Sequence, residues 1–112
     1  MGANIYIYVS GAGEPFFFRD SYNPCNLAWV IGKSYWSDFP DDPSDLKGRI
    51  GFLEALAEIT DEQIENYLRS KSQEWRLSES ERKELTRILG NKRDYLKGIL
   101  TSHQIIKIEA CV

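Results

Sequence analysis

The residues best equipped for chemistry fall in one run, Phe16 to Trp36, which reads FFFRDSYNPCNLAWVIGKSYW. Arg19, Asp20, Ser21, Tyr22 and Asn23 set five hydrogen-bonding side chains next to one another, and Tyr35 and Trp36 follow after an apolar stretch. The run spans an expected strand-to-helix junction, where loops are exposed and amides point outward, so the chemistry it suggests is recognition. Aromatic and Arg side chains supply most interface energy, which makes Arg19, Asp20, Tyr22, Asn23, Tyr35 and Trp36 the candidate binding residues. The same side chains also fit an internal role. Asp20 or Ser21 can cap the helix, Arg19 can pair with Asp20 or a neighbour, and Tyr22, Tyr35 and Trp36 can complete the core.

Catalysis finds less support. A nucleophile needs a base, and His103 is the only histidine, sited where a helix hands over to the last strand. A Cys25–His103 pair is the one enzymatic reading, and nothing in the sequence orients either residue. A histidine at a helix end also serves simply as a cap, favoured by its partial positive charge. Gly11-Ala12-Gly13 lacks the third glycine and the following helix of a phosphate-cradling loop. Asp38, Asp41, Asp42 and Asp45 carry the oxygen ligands of a hard cation but lack the alternation and distal Glu of an EF-hand, so a solvated acidic loop is expected. One His and two unspaced Cys make no zinc set. No metal and no cofactor is expected.

A second interface candidate is a late helix on which Arg82, Lys83, Arg87, Arg93 and Lys97 share a broad face away from the apolar stripe. Glu79 and Asp94 interrupt it. This gives nucleic-acid binding as an alternative to a protein partner.

The elements that must hold these residues follow from periodicity. Asn4 to Ser10 alternates Ile5, Ile7 and Val9 against Tyr6 and Tyr8, and so reads as a strand. Gly11 to Pro15 makes a turn, and Phe16 to Arg19 completes a hairpin. Asn23-Pro24 is a helix start, with Leu27, Trp29, Val30 and Ile31 buried and Gly32 as the stop. Residues 37–47 are acidic and Pro-rich, hence an exposed loop. Phe52, Leu53, Leu56 and Ile59 have helical spacing. Thr60 with Gln63 and Ser78 with Glu81 are capping-box patterns that open two more helices. The first buries Ile64, Tyr67 and Leu68. The second carries Leu85, Ile88 and Leu89, with a possible break at Gly90-Asn91 before Tyr95, Leu96, Ile99 and Leu100. Gln104 to Val112 alternates again, placing Ile106, Ile108, Ala110 and Val112 on one face. Strands at both ends with helices between them predict an α+β fold of two layers. A small antiparallel sheet, the N-terminal hairpin plus the C-terminal strand, would be packed by three to five helices.

Composition bounds the rest. The chain has 112 residues, 42% hydrophobic and 28% charged, which suits one globular domain. Three Trp, six Tyr and five Phe exceed what such a core needs and leave some for a surface. Net charge is −3, with two basic and six acidic groups in residues 1–46 and 12 basic and 11 acidic groups beyond, so any basic patch is local. Cys25 and Cys111 lack motif spacing and are expected as reduced thiols. No signal peptide and no apolar run of membrane-spanning length is evident, so a cytoplasmic location is expected.

The opening Met-Gly-Ala-Asn-Ile-Tyr, followed by Arg-Asp-Ser-Tyr-Asn, Leu-Ala-Trp-Val-Ile-Gly and Ser-Tyr-Trp, resembles a group of short uncharacterised bacterial and phage proteins that open Met-Gly-Ala-Asp-Ile-His. The likeness covers roughly the first third of the chain. It implies no reaction. It departs at Asn4 and Tyr6, where an Asp and a His would suggest a metal pair. What it does imply is a phage- or mobile-element-derived protein acting on a bacterial host or defence protein. Taken together, the residues predict a small non-enzymatic module that binds a protein, with homodimerisation open as a use of its aromatics.

Overall fold

The structure is a computed structural model, and it describes residues 2–21 and 24–112. The elements are β1 (Ala3–Val9), β2 (Phe16–Asp20), α1 (Leu27–Val30), α2 (Tyr35–Asp38), α3 (Leu46–Ala57), α4 (Asp61–Lys71), α5 (Glu79–Ser102) and β3 (Ile105–Cys111). The strands form one antiparallel sheet in the order β2-β1-β3, so the two ends of the chain meet as the end-strand argument requires. This is an α+β fold.

Period two sorts the sheet into two faces. Ala3, Ile5, Ile7 and Val9 of β1, Phe18 of β2 and Ile108 of β3 are buried. They meet Leu53 and Leu56 of α3, Ile64 and Leu68 of α4, and Leu89, Leu96 and Ile99 of α5 in one core. The two capping boxes are present in full, Thr60 with Gln63 and Ser78 with Glu81 each exchanging side-chain-to-backbone bonds in both directions.

Two expectations need correction, and one point left open is decided. The first helix starts at Leu27, not at Pro24, because Asn26 is its N-cap, its side chain accepting from Trp29 N at 3.1 Å. The proposed cap Asn23, like Tyr22, lies outside the described residues. Gly32 does close this helix, at φ +69, with Lys33 N bonded to Ala28 O and Gly32 N to Trp29 O as a Schellman cap requires. The point left open is the break at Gly90-Asn91, and α5 runs unbroken through it for 24 residues. A glycine inside a helix costs only about 1 kcal/mol relative to alanine, and burial of Leu89, Leu96 and Ile99 on either side outweighs that. The second correction concerns β3. Val9 pairs with Ile105 while Tyr8 pairs with Lys107, so a bulge lies at Ile106. The extra residue breaks the alternation, and Ile106 is exposed instead of inward.

A helix side chain takes one backbone carbonyl on each outer strand. On β3 the Ile108 carbonyl accepts from Arg49 Nη1 at 2.8 Å, and the same buried guanidinium holds Pro40 O (3.1 Å) and Asp41 O (3.2 Å). On β2 the Phe17 carbonyl accepts from the Tyr95 hydroxyl at 3.0 Å. Unpaired edge groups invite strand addition, and these bonds occupy one on each edge.

Candidate functional site

The run Phe16 to Trp36 is divided by the sheet. Asp20 ends β2 on the inner face and is fully buried. Its Oδ1 accepts from Leu27 N (2.7 Å) and Lys92 Nζ (3.2 Å), and its Oδ2 from Ala28 N (3.2 Å) and the Tyr35 hydroxyl (2.6 Å). The carboxylate thereby satisfies two of the orphan amides that open α1. Lys92 also donates to the Cys25 carbonyl, tying α5 to the segment ahead of α1. Tyr35 is 2% exposed and packs its ring 5.0 Å from that of Phe52. Burial first, and then the charge of Asp20 and the bond to it, hold the Tyr35 phenol protonated far above its ordinary range.

Asp20 and Tyr35 are therefore not rim or surface residues, and their assignment to a partner-contacting surface is corrected. A carboxylate with four donors and a phenol engaged on it have nothing left to offer a ligand, and leaving either exposed would unmake the α1 cap. Trp36, the next residue, is 74% exposed. The turn that carries it is fixed, since Ser34 Oγ accepts from Trp36 N (3.2 Å) and Asp38 Oδ2 accepts from Ser34 N (2.8 Å). Arg19 is exposed on the outer side of β2, donating to Asn4 Oδ1 at 2.6 Å. The predicted cluster is thus three separate things: an internal hub, an exposed tryptophan on α2, and an arginine on the far face of the sheet.

That far face is the feature the sequence reading undervalued. Its outward positions are Asn4, Tyr6 and Tyr8 on β1, Phe17 and Arg19 on β2, and Lys107, Glu109 and Cys111 on β3. Tyr6 lies between Phe17 and Glu109 in register, and its ring is 5.2 Å from that of Phe17. These two rings are 38% and 45% exposed. Tyr8 donates to Glu109, and Lys107 lies 5.3 Å over the Tyr8 ring. The Glu109 bond, more than burial, raises the Tyr8 phenol above its ordinary range. A shallow hollow of about 350 Å³ sits among Tyr6, Tyr8, Glu109, Ala110 and Cys111. Of the six large apolar side chains exposed among the described residues, Tyr6 and Phe17 stand on this face, Tyr95 borders it at β2, and Ile106 belongs to β3. Tyr6 and Tyr8 were readable as outward-facing from alternation alone. The signal was that a solvent face carries rings where charge is usual.

Two further residues escaped the sequence reading. Arg49 and Lys92 each occupy an apolar-stripe position, Arg49 between Leu46 and Phe52 and Lys92 between Leu89 and Leu96. A cation at such a position must find buried acceptors, and both do.

The other readings fare as follows. Cys25 reaches Lys92 through its carbonyl, whereas His103 lies eleven residues further along α5, about 16 Å by helix rise. His103 instead places Nδ1 3.2 Å from Ile99 O and its ring 4.9 Å from that of Phe16. The geometry does not assemble a Cys25–His103 pair. On the basic face of α5, Lys83 pairs with Glu79, Arg87 with Glu84, and Arg93 with Asp61 and Asp94, so carboxylates neutralise three of its five cations. In the acidic loop, Asp42 accepts from Ser44 and Asp45 caps α3 at Gly48 N. Both bonds from Ser44 hold the Asp42 carboxyl below the usual range. Among the described residues no group of three or more His, Cys, Asp and Glu side chains converges, and no helix is long and apolar enough to cross a membrane.

Comparison with protein-family models, with curated proteins and with solved structures finds no match.

Proposed function

We propose that the protein is a small non-enzymatic module that binds another protein on the outer face of its sheet. The observation that supports this reading is the concentration of exposed rings there: Tyr6 and Phe17 in contact, Tyr8 beside them and Tyr95 at the border. An apolar patch framed by polar groups is the usual form of an interface core with its rim. Arg19 has no carboxylate partner among the described residues, while Lys107 and Glu109 lie 3.8 Å apart. The partner this chemistry suits presents apolar side chains to the rings and a carboxylate to Arg19. Helix side chains take one carbonyl on each sheet edge, and the concentration of rings, more than edge coverage, points to packing on the face over extension of the sheet. That the partner is a host or defence protein rests on the resemblance of the N-terminal third to phage proteins, which is analogy.

The test is affinity capture with wild type, Phe17→Asp and Trp36→Ala, followed by titration of the captured protein in purified form. The reading requires a stoichiometric partner that Phe17→Asp loses and Trp36→Ala keeps. If the purified partner binds Phe17→Asp as tightly as wild type, the face is not the site. A wild type that is dimeric in sedimentation and made monomeric by Phe17→Asp would assign the face to self-association instead.

A further inference from the structure

Three arginines among the described residues are not exposed: Arg49, Arg82 and Arg93. Arg49 is engaged by three carbonyls, and Arg93 by Ile59 O, Asp61 and Asp94. Arg82 differs. It lies near the start of α5, its Nε is sealed from solvent, and that Nε has no hydrogen-bond partner. Buried donors are nearly always satisfied, so this guanidinium is an exception.

Because Nε is closed to solvent, a ligand beside Arg82 would have to engage the rest of its guanidinium. Arg82 lines a cleft of about 350 Å³ between α4 and α5, with Glu65 and Arg69 from α4 and Glu79, Lys83 and Thr86 from α5. Lys83 is 3.8 Å from Glu79, both well exposed, so this pair is largely self-compensating. Neither Arg69 nor Arg82 forms an ion pair with Glu65 or Glu79, and Arg69 donates only to Asn66 Oδ1, at 3.3 Å. Two guanidinium groups, one from each helix, therefore line one cleft without an ion-pair partner among the described residues, in a lining whose cations exceed its carboxylates by one. A planar guanidinium fork matches the oxygens of a phosphate, and two forks from different helices suit a tetrahedral anion better than a flat carboxylate.

We propose that this cleft is a phosphate-binding site, with Arg69 and Arg82 donating to the oxyanion. Glu65 opposes a bare anion, but it leaves an acceptor for a hydroxyl, so the site favours a phosphate ester of a sugar over inorganic phosphate. Two sources share that chemistry: a free sugar phosphate or nucleotide, and the backbone of a nucleic acid. The proposal is independent of the sheet face.

The test is a titration of the ¹⁵N-labelled protein, following the arginine Nε–H signals, with inorganic phosphate, ribose 5-phosphate and a single-stranded oligonucleotide in turn. Expected are shifts of the Arg82 and Arg69 signals with the Arg76 signal unmoved, ribose 5-phosphate acting at lower concentration than phosphate. Arg69→Gln and Arg82→Gln should each weaken binding about tenfold, the size expected for one charge-assisted bond, and Arg76→Gln should not. Arg69 is exposed, so its variant tests the site even if Arg82→Gln folds poorly. Tight, salt-dependent oligonucleotide binding lost in these variants assigns the source to nucleic acid. Binding of the sugar phosphate alone assigns it to a free ester. If no probe shifts the Arg82 signal, or if the shifts elsewhere survive both substitutions, the proposal is wrong.

Discussion

Arg19 and Asp20 are neighbours in the chain, as are Tyr35 and Trp36, yet each pair is split between the inside and the outside of the molecule. Asp20 is fully buried with four donors, while Arg19 stands on the opposite face of the same strand. Tyr35 closes on Asp20 in the core, while Trp36 turns to solvent. The inner members answer to a polar hub in which every group has a partner, so removing any one strands the others. The outer members answer to no such constraint. Substitution on the inner side should therefore register as lost stability, and on the outer side as lost binding with the fold intact.

The largest effect is expected from Lys92→Met. It removes the one cation that pairs with the buried Asp20 carboxylate among the described residues. Leaving such a charge unpaired typically destabilises by about 3 to 5 kcal/mol, a large part of the total stability of a small domain. Urea denaturation checks this, and a loss below about 1 kcal/mol would mean that the hub is not a unit.

Next is Tyr35→Phe, which deletes a hydrogen bond to a charged acceptor and should cost about 1.5 to 3 kcal/mol at neutral pH. It should also change the alkaline limb of the stability curve. Folding raises the Tyr35 phenol, so above about pH 10 the unfolded chain releases a proton that the folded chain retains. Fewer protons bound in the unfolded state means that stability falls as pH rises through that region. The variant lacks this contribution, so its stability should decline less steeply from pH 9 to 11 than that of wild type. What slope remains would come from Tyr67, raised by burial and Glu74, and from Tyr8. Equal slopes for the two proteins would show that Tyr35 is not held protonated as described.

The hub also marks how far the sequence could be read. Thr60 with Gln63, Ser78 with Glu81, the Gly32 stop and the alternation of β1 were legible because each is decided within a few residues. Even the capping role of Asp20 was visible as one of two uses. What local pattern could not supply was the rest of its partner set, since Lys92 lies 72 residues away. The bulge at Ile106 and the unbroken α5 were hidden for a related reason. Each is imposed by what packs across from it, and the sequence on either side is compatible with both outcomes. On the outer face, alternation placed the rings of Tyr6 and Tyr8 correctly, but a local pattern gives no sign that Phe17 of the neighbouring strand would join them.

The outer side of the comparison is tested by Phe17→Ala. The lost contact is one cross-strand ring pair with Tyr6, worth about 0.2 to 1 kcal/mol, so the thermal midpoint should shift by only a few degrees. Partner binding should fall far more than stability does, and a variant that loses both in proportion would put Phe17 in the same structural class as Tyr35.

The smallest effect on stability is expected from Trp36→Ala, within about 0.5 kcal/mol, as for other surface positions. Its side chain is 74% exposed, and the turn beneath it is held by the Ser34 and Asp38 side chains, which accept from the backbone N–H groups of residues 36 and 34 and do so equally in the alanine variant. This variant is the sharpest control on the division drawn here, because Tyr35 next to it should be among the least replaceable residues of the chain. If Trp36→Ala unfolds the protein, α2 is held by that ring and not by the Asp20 hub. If it folds normally and binds the partner normally, Trp36 lies outside the interface and the sheet face alone carries recognition. Normal folding with loss of the partner would extend the interface from the sheet to α2, and would place its apolar core nearer the tryptophan than Phe17.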